Sequence, residues 1–370
     1  MLALVPMAVV ASYLGWLGLR GRRRAEAAWA SGVPPAVDVL VPVHDEAALV
    51  LDKLRNLEAL EYPEGSLRFL LVDGGSHDGT AEAVAAFCAH DRRFELLLTG
   101  DRNKVAQLNA GLRRARSDWV LVTDADARLE PGTLLALVRA ALADPGLGVV
   151  GPPVAPAEAH PVERLHWTVA NWMRRREHGC GSASIVAGPC YLFRRELVEA
   201  FPPDVIADDV HVACRAAVSG LRTGLAGPLV RELRAPRTLG ALLRHKVRKA
   251  DAYLREVFRF LPDARRMPQP MRAVFLWRAA LLTLAPSCAV GAAALLCLGA
   301  DPSLAATGAT LTLLAAGRGP GLVARCTASV LLPPLLAVAA TLALLGHPFS
   351  RQTAHYRKVA APGRRRQAAG

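Results

Sequence analysis

The chain lacks several patterns that would assign it to common classes of protein. Its seven cysteines are odd in number, and no two of them have the spacing of metal ligands. This argues against both a cysteine metal site and a disulfide framework, so we predict free thiols in a reducing compartment. Aromatic residues make up only 5% of the 370 residues, and no RNA- or DNA-binding signature accompanies the net charge of +13. We therefore expect no nucleic-acid partner.

The hydrophobic residues, 52% of the chain, are unevenly distributed. They concentrate in residues 1–20 and 273–346, whereas the middle has the balance of an ordinary globular domain. Basic runs lie beside the apolar regions: RGRRR follows the first, RHKVRK precedes the second, and GRRRQ lies in the basic tail, residues 347–370. Basic residues beside apolar spans fit the positive-inside bias. We predict a multi-pass protein of the cell membrane with a cytoplasmic central domain.

Both apolar regions leave alternatives open. Residues 28–30 (AWA) look like a signal-peptidase site, but a signal peptide carries its positive charge before the apolar stretch, whereas residues 20–24 follow it. An uncleaved N-terminal transmembrane anchor is therefore favoured. In the C-terminal region, residues 304–316 are short for a full span. Two or three C-terminal transmembrane segments fit, and the side of the C-terminus stays open.

The middle of the chain alternates apolar strand patterns with helical patterns. Strands are predicted at residues 37–43, 69–72, 94–99 and 119–123, with helices at 47–60, 80–89 and 103–118. Such alternation is typical of a doubly wound, parallel α/β sheet. We place this domain at residues 34–235, followed by amphipathic helices that we expect at the membrane interface, residues 236–272.

Four aspartates fall where predicted strands end: Asp45, Asp73, Asp124 and Asp126. A helix cap or a turn explains any one of them, but it explains a gathering of four less well. Doubly wound sheets bind ligands beyond the carboxyl ends of their strands. Because like charges repel, this edge needs a compensating cation or hydrogen-bond donors.

Five stretches occur in an order that resembles the motifs of membrane-bound family 2 glycosyltransferases. They are VLVPVHDE, LLVDGGSHDGT, NKVAQLNAGLRRARSDWVLVTDADARLEP, VAGPCYLFRREL and ADDVHVACRAAVSG, and the resemblance covers residues 37–248. It implies a GT-A fold, which is Rossmann-like with a mostly parallel sheet. It also implies a UDP- or GDP-sugar donor, and a divalent cation, Mn²⁺ or Mg²⁺, that neutralises the diphosphate leaving group.

The resemblance assigns roles to the acidic motifs. Asp126 would ligate the metal directly, and Asp124, a second metal ligand, would lie nearer the ribose and diphosphate. Asp209 would be the general base for the acceptor hydroxyl, with Asp208 beside it on the acceptor side. Attack opposite the leaving group would invert the anomeric centre. A helix N-cap at this pair is the alternative, and it is compatible with catalysis.

Further contacts with the nucleotide sugar are implied at His44, Glu46, Asp73, Lys104 and Arg248. Asp73 would lie near the base, and His44 would stack on it where the family usually has an aromatic residue. A surface histidine is the alternative for His44. Lys104 would hold the nucleotide or diphosphate, with a solvated lysine at a helix start as an equal alternative. Arg248 would contact the diphosphate.

Two departures from the family pattern bear on function. Gly74 stands where a second aspartate is frequent, which leaves the base preference open. Lys249 stands where the Gln-x-x-Arg-Trp motif of processive members has its acceptor-lining tryptophan, which favours transfer of a single sugar. The alternatives to this single transfer are a processive polysaccharide synthase and an inactive nucleotide-sugar-binding membrane partner.

The acceptor is expected to be a lipid or another membrane-associated molecule. Residues 162–179 and 238–261 read as amphipathic helices with basic faces. Helices of this kind lie at membrane surfaces, where they would bring the acceptor to Asp209. Ordinary packing with a solvated basic face is the alternative.

Overall fold

The computed structural model describes residues 4–21 and 32–283. Its elements in chain order are α1 (Leu4–Arg20), β1 (Val37–Val43), α2 (Val50–Glu58), β2 (Leu67–Asp73), α3 (Thr80–Cys88), β3 (Phe94–Leu98), α4 (Lys104–Arg114), β4 (Trp119–Thr123), β5 (Ala127–Arg128), α5 (Thr133–Ala143), β6 (Leu147–Gly151), β7 (Val154–Pro156), α6 (Pro161–Gly179), β8 (Cys190–Arg194), α7 (Asp208–Val218), β9 (Arg222–Leu225), β10 (Val230–Glu232), α8 (Leu239–Phe260) and α9 (Met271–Leu282).

The central sheet has the order β3-β2-β1-β4-β8-β6-β9. Strands β1 to β4 are parallel to one another, as the alternating pattern predicts. Strand β8 enters between β4 and β6 and is antiparallel to both. The sheet is therefore mixed on one side, and a second sheet, β5-β10-β7, lies beyond the end of β4. The predicted α/β, mostly parallel fold is confirmed.

Alternation along the strands produces two packed layers. On β1, Val39 and Val41 face the layer that contains α2 and α5, whereas Leu40 faces the layer that contains α4 and α7. A strand buried on both faces is nearly all apolar, as in VDVLVPV, where the buried Asp38 is the one charged residue. The core thus lies on both faces of the sheet and leaves the strand ends open at the edge where the aspartates stand.

Helix α4 shows how local signals fix one of these elements. The side chain of Asn103 caps the helix by accepting a hydrogen bond from Val105 N at 2.8 Å. Val105, Leu108 and Leu112 recur at helical spacing and are all buried against the sheet. The Asn103 cap and the buried apolar face of α4 together place Lys104, the first helical residue, at the carboxyl edge of the sheet.

The predicted membrane segments are only partly covered by the described residues. Within residues 4–21 and 32–283, no helix is both long and apolar enough to cross a membrane, so the predicted N-terminal span is not supported. Helix α1 instead packs on α6 and α9, with Tyr13 buried and donating a hydrogen bond to Glu177. Most of the predicted C-terminal region lies outside the described residues. The cysteines within them, Cys88, Cys180, Cys190 and Cys214, are free thiols.

Candidate active site

Lys104 joins two acidic motifs that lie far apart in sequence. Its ammonium Nζ is 2.9 Å from Asp124 Oδ1, just beyond β4, and 3.2 Å from Asp208 Oδ1, at the start of α7. Its side chain is only 11% exposed, so it is not a solvated lysine at a helix start. One buried cation therefore brings the Asp-Ala-Asp turn and the Asp208-Asp209 pair into a single site.

The Asp208-Asp209 pair forms the first two residues of α7. Ala207 occupies the N-cap position, so neither aspartate is the N-cap residue. Asp208 Oδ2 accepts a hydrogen bond from the buried Tyr191 hydroxyl at 2.6 Å. Burial and the neighbouring Asp208 charge raise the pKa of Asp209 to about 6, against the opposing effect of Lys104 and Lys249. Asp209 thus has the proton affinity of a base that works near neutral pH.

The Asp124-Ala125-Asp126 turn follows the buried strand β4 directly. Burial and the Asp124 charge raise the pKa of Asp126 to about 6, against the opposing effect of Arg234 and Lys53. Within the described part of the chain, no cluster of three or more His, Cys, Asp or Glu side chains forms a closed metal site. Two carboxylates that leave further positions to substrate and water are the donor set that Mg²⁺ and Mn²⁺ accept. The residues present therefore fit a divalent cation.

A buried lysine lies beneath this turn. Lys53 Nζ donates to Thr123 Oγ1 at 2.9 Å and to the Ala127 carbonyl at 2.7 Å. Burial lowers its pKa to about 8, while the turn's carboxylates act in the opposite direction. The sequence reasoning missed Lys53, although its place in the apolar stripe of α2, between Val50 and Leu57, was a detectable signal.

Glu46 lies at the end of β1, but its carboxylate is already engaged. Arg234 binds it through both guanidinium nitrogens, at 2.8 Å and 2.6 Å, and both side chains are buried. Leu233 N, next in the chain, donates to Asp126 O at 2.8 Å. The pair therefore connects the first loop to the Asp-Ala-Asp turn. Arg234 was also missed, because its partner is 188 residues away in sequence.

Asp73 and His44 shape the loops beside the site. The Asp73 carboxylate accepts hydrogen bonds from Gly75 N and Ser76 N, both at 2.9 Å, so it organises its own turn. His44 is buried rather than at the surface, with Nδ1 3.0 Å from Gly74 O and Nε2 3.1 Å from Asp45 Oδ2. Asp73 ends β2 and His44 follows β1, and the polar atoms of both are engaged largely within the loops after these strands.

Comparisons with known proteins agree with this geometry. The family model described as glycosyl transferase family 2 matches residues 38–201. The chain carries a family 2 glycosyltransferase domain. A mannosyltransferase from Pyrobaculum calidifontis, solved in complex with GDP-Man and Mn²⁺, is 26% identical and has a TM-score of 0.73 over 95% of this chain and 100% of that chain. The predicted glycosyltransferase domain and its GT-A architecture are thereby confirmed.

Curated relatives of the family 2 domain differ in the products that their names imply. The N-acetylglucosaminyltransferase of Rhizobium leguminosarum bv. viciae is 27% identical over 62% of this chain and 58% of its own length. The poly-beta-1,6-N-acetyl-D-glucosamine synthase of Staphylococcus aureus (strain COL) is 24% identical over 60% of this chain and 56% of its own. The chain thus spans a little over half the length of these relatives.

The structure leaves little space for a side chain at Gly74, where the family 2 pattern often has a second aspartate. A Cβ at this position would lie 2.6 Å from Gln107 Nε2 and 2.7 Å from Asp101 O. The Gln107 amide is held there because it donates to the carbonyls of Val43 at 2.6 Å and Val72 at 2.9 Å. The Gln107 amide, which bridges carbonyl groups of β1 and β2, therefore leaves no room for a side chain at residue 74.

Replacing Gly74 by alanine is therefore expected to lower Tm by about 2–6 °C, the effect of about 1–3 kcal/mol of overpacking in a protein of this size. The measurement is thermal unfolding of the purified full chain. Gly132→Ala is the matched control, because a Cβ there meets only Glu61 Oε2 at 3.9 Å. Equal Tm values for the two variants would mean that Gln107 moves aside freely.

The predicted acceptor side of the family 2 domain lies on α6 and α8. Lys249 Nζ is 5.2 Å from the centre of the Trp167 ring, and Lys246 forms a buried ion pair with Glu163 at 2.6 Å. Arg248 is half-buried on α8. Ion pairs join Lys104, Asp124 and Asp208, whereas among the described residues no ion pair joins Arg248 to Asp124 or Asp208.

Proposed function

We propose that this chain is a metal-dependent inverting glycosyltransferase that moves one sugar from a UDP- or GDP-sugar to a membrane-associated acceptor, in particular a lipid. The observation that carries the proposal is the contact of Lys104 with both Asp124 and Asp208. It brings the motif suited to a donor diphosphate next to a buried carboxylate suited to a base. Glycosyl transfer with inversion requires these two functions on opposite sides of one sugar.

The chain's own residues would divide the chemistry as follows. Asp124 and Asp126 would hold Mn²⁺ or Mg²⁺, which when bound neutralises the charge that grows on the leaving diphosphate. Lys104 would add a fixed positive charge at the same place. Asp209 would accept the proton of the acceptor hydroxyl as its oxygen attacks the anomeric carbon. Asp208 would keep the start of α7 in place through Tyr191 and Lys104.

The acceptor assignment rests on α6, α8 and α9. Trp172, Phe258 and Leu276, one on each helix, leave between 37% and 44% of their surface exposed. Exposed apolar side chains beside arginines are typical of helices at a membrane surface. We therefore propose that the domain lies against the cytoplasmic face of the cell membrane and takes its acceptor from it.

The pH profile follows from the raised pKa of Asp209 at about 6. The base accepts a proton only when ionised, so kcat/KM at saturating metal should rise with pH, reach half of its plateau at about pH 6 and level off about one unit higher. At pH 5 we expect about a tenth of the plateau value, because one pH unit below the pKa leaves about a tenth of the carboxyl ionised. If kcat/KM does not change between pH 5 and pH 7, this assignment is contradicted.

A processive polysaccharide synthase is the second candidate, supported by the similarity to the Staphylococcus aureus synthase. Lys249 argues against it, because it puts a cation where the family resemblance expects the tryptophan of the acceptor site. Product length separates the two candidates. Single transfer yields one discrete mass increment, whereas processive synthesis yields a ladder of masses.

The experiment is a screen of UDP- and GDP-sugars with the purified full chain, membrane lipid extract and either Mn²⁺ or Mg²⁺. Mass spectrometry of the products is expected to find a lipid that has gained one sugar, and only when the cation is present. A polymer would overturn the single transfer. If no donor supports sugar transfer but the chain still binds a nucleotide sugar, the result would favour an inactive nucleotide-sugar-binding partner.

A further inference from the structure

We infer that Lys53 is a positioning residue for the Asp124-Ala125-Asp126 turn, because its ammonium group binds the Thr123 side chain before the turn and the Ala127 backbone carbonyl after it. It would thereby set the directions in which the two carboxylates point. The inference rests on the proposed function, since it takes the turn to be the site of the divalent cation. Lys53 itself would touch neither the cation nor the substrate.

The contacts of Lys53 enclose the turn. Its Nζ reaches Thr123 Oγ1, at the residue before the turn, and the Ala127 carbonyl, at the residue after it. The Thr123 hydroxyl in turn donates to Pro189 O at 3.0 Å, and Asp124 N donates to the same carbonyl at 3.1 Å. One chain of hydrogen bonds therefore runs from α2, through the end of β4, to the loop before β8.

Burying a lysine at this position carries a desolvation cost that an apolar residue in the same place would avoid. Lys53 is 2% exposed and belongs to the buried face of α2 with Val50, Leu54 and Leu57. An ammonium group taken out of water is costly unless charge-assisted hydrogen bonds compensate. An apolar residue would fill the same stripe without that cost, so the gain from Lys53 lies in the groups that it holds.

Asn56 reinforces the same segment one helical turn later. Its amide donates to Leu129 O at 2.7 Å, and its carbonyl oxygen accepts from Leu129 N at 3.0 Å. Helix α2 therefore holds residues 123–129 at two places. A neutral amide is sufficient at Leu129, whereas a cation stands beneath the two carboxylates.

The test is Mn²⁺ binding to the full chain, measured by electron paramagnetic resonance without any sugar donor. Lys53→Met keeps the length of the side chain and removes the donors. We expect it to weaken Mn²⁺ binding about tenfold or more, as for the loss of a charge-assisted hydrogen bond. The sign is informative, because loss of a nearby positive charge alone would strengthen cation binding.

Leu54→Ala is the matched control, since Leu54 belongs to the same buried face of α2 but its side chain has no hydrogen-bonding group. It should destabilise the fold and leave Mn²⁺ affinity unchanged. Thr123→Val removes the first acceptor of Lys53 and the hydroxyl's own bond to Pro189 O, but it leaves the bond from Lys53 to the Ala127 carbonyl, so it should weaken binding in the same direction. The double variant should lose less affinity than the two single variants together, because both changes break the bond between Lys53 and Thr123.

A second readout is hydrogen exchange at Ala127, whose amide donates to Asp124 O at 3.1 Å across the turn. Exchange there should be faster in Lys53→Met and unchanged in Leu54→Ala. Mn²⁺ binding by Lys53→Met that equals or exceeds the wild type would overturn the inference and leave the proposed function intact. If Lys53→Met does not fold, unchanged binding by Thr123→Val overturns it. Wild-type protein that binds no Mn²⁺ would overturn the metal-dependent function itself, and the inference with it.

Discussion

Replacing Asp209 by asparagine is expected to lower kcat by about 10²–10⁴-fold, the usual contribution of a general base. Asparagine has nearly the same shape, but its amide cannot accept the proton of the acceptor hydroxyl. The change lies at the start of α7 rather than in the proposed donor motif. The KM for the nucleotide sugar should therefore stay within about threefold of the wild type. Steady-state kinetics of the purified chain measure both constants.

Asp204→Asn is the control for this variant. Asp204 lies five residues earlier and pairs with Arg259, and its side chain is 61% exposed. An exposed ion pair contributes little, so this variant should keep wild-type kinetics. If Asp209→Asn retains a tenth of the wild-type kcat or more, another group must take the proton.

Replacing Asp126 by asparagine is expected to lower kcat/KM by about 10²–10³-fold, as for the loss of several kcal/mol of charge stabilisation on the leaving diphosphate. An amide oxygen is a weaker ligand than a carboxylate for a hard cation. Mn²⁺ binding measured by electron paramagnetic resonance should weaken in parallel. The fold should persist, because the removal of one of two neighbouring like charges relieves repulsion.

Glu130→Gln provides the comparison for this change. Glu130 is an exposed carboxylate four residues further along the chain, so its loss alters the net charge equally without touching the turn. It should bind Mn²⁺ as the wild type does. Equal Mn²⁺ affinity in Asp126→Asn and the wild type would mean that the cation is held elsewhere.

The parallel half of the fold was predictable because its signals are local. Each of the strands β1 to β4 is an apolar run between turns, and the helix that follows each of β1 to β3 has apolar residues at helical spacing. Right-handed crossovers bring such strands side by side. The aspartates at their ends were therefore expected at one edge, and the family resemblance then gave Asp73 and Asp124 their roles in the site.

The remaining features of the fold and of the site depend on contacts between distant parts of the chain. The apolar segment Cys190–Arg194 is compatible with several positions, and only packing decides that it enters antiparallel beside β4. The role of Arg234 depends on its ion pair with Glu46, and the role of Lys53 depends on its hydrogen bonds to Thr123 and Ala127. None of these pairs has a spacing that a sequence motif records. The burial of Tyr13 and Leu17 on α1, the helix predicted as a membrane anchor, likewise depends on contacts with distant helices.

Mass and anomeric configuration of the product test the proposed transfer most directly. The full chain would be incubated with Mn²⁺, lipid extract and the nucleotide sugar that the screen identifies, and the product would be analysed by mass spectrometry and NMR. We predict one added sugar whose anomeric configuration is opposite to that of the donor, formed by the wild type and not by Asp209→Asn. A product that retains the donor configuration, or one that forms equally well with Asp209→Asn, would contradict the proposal.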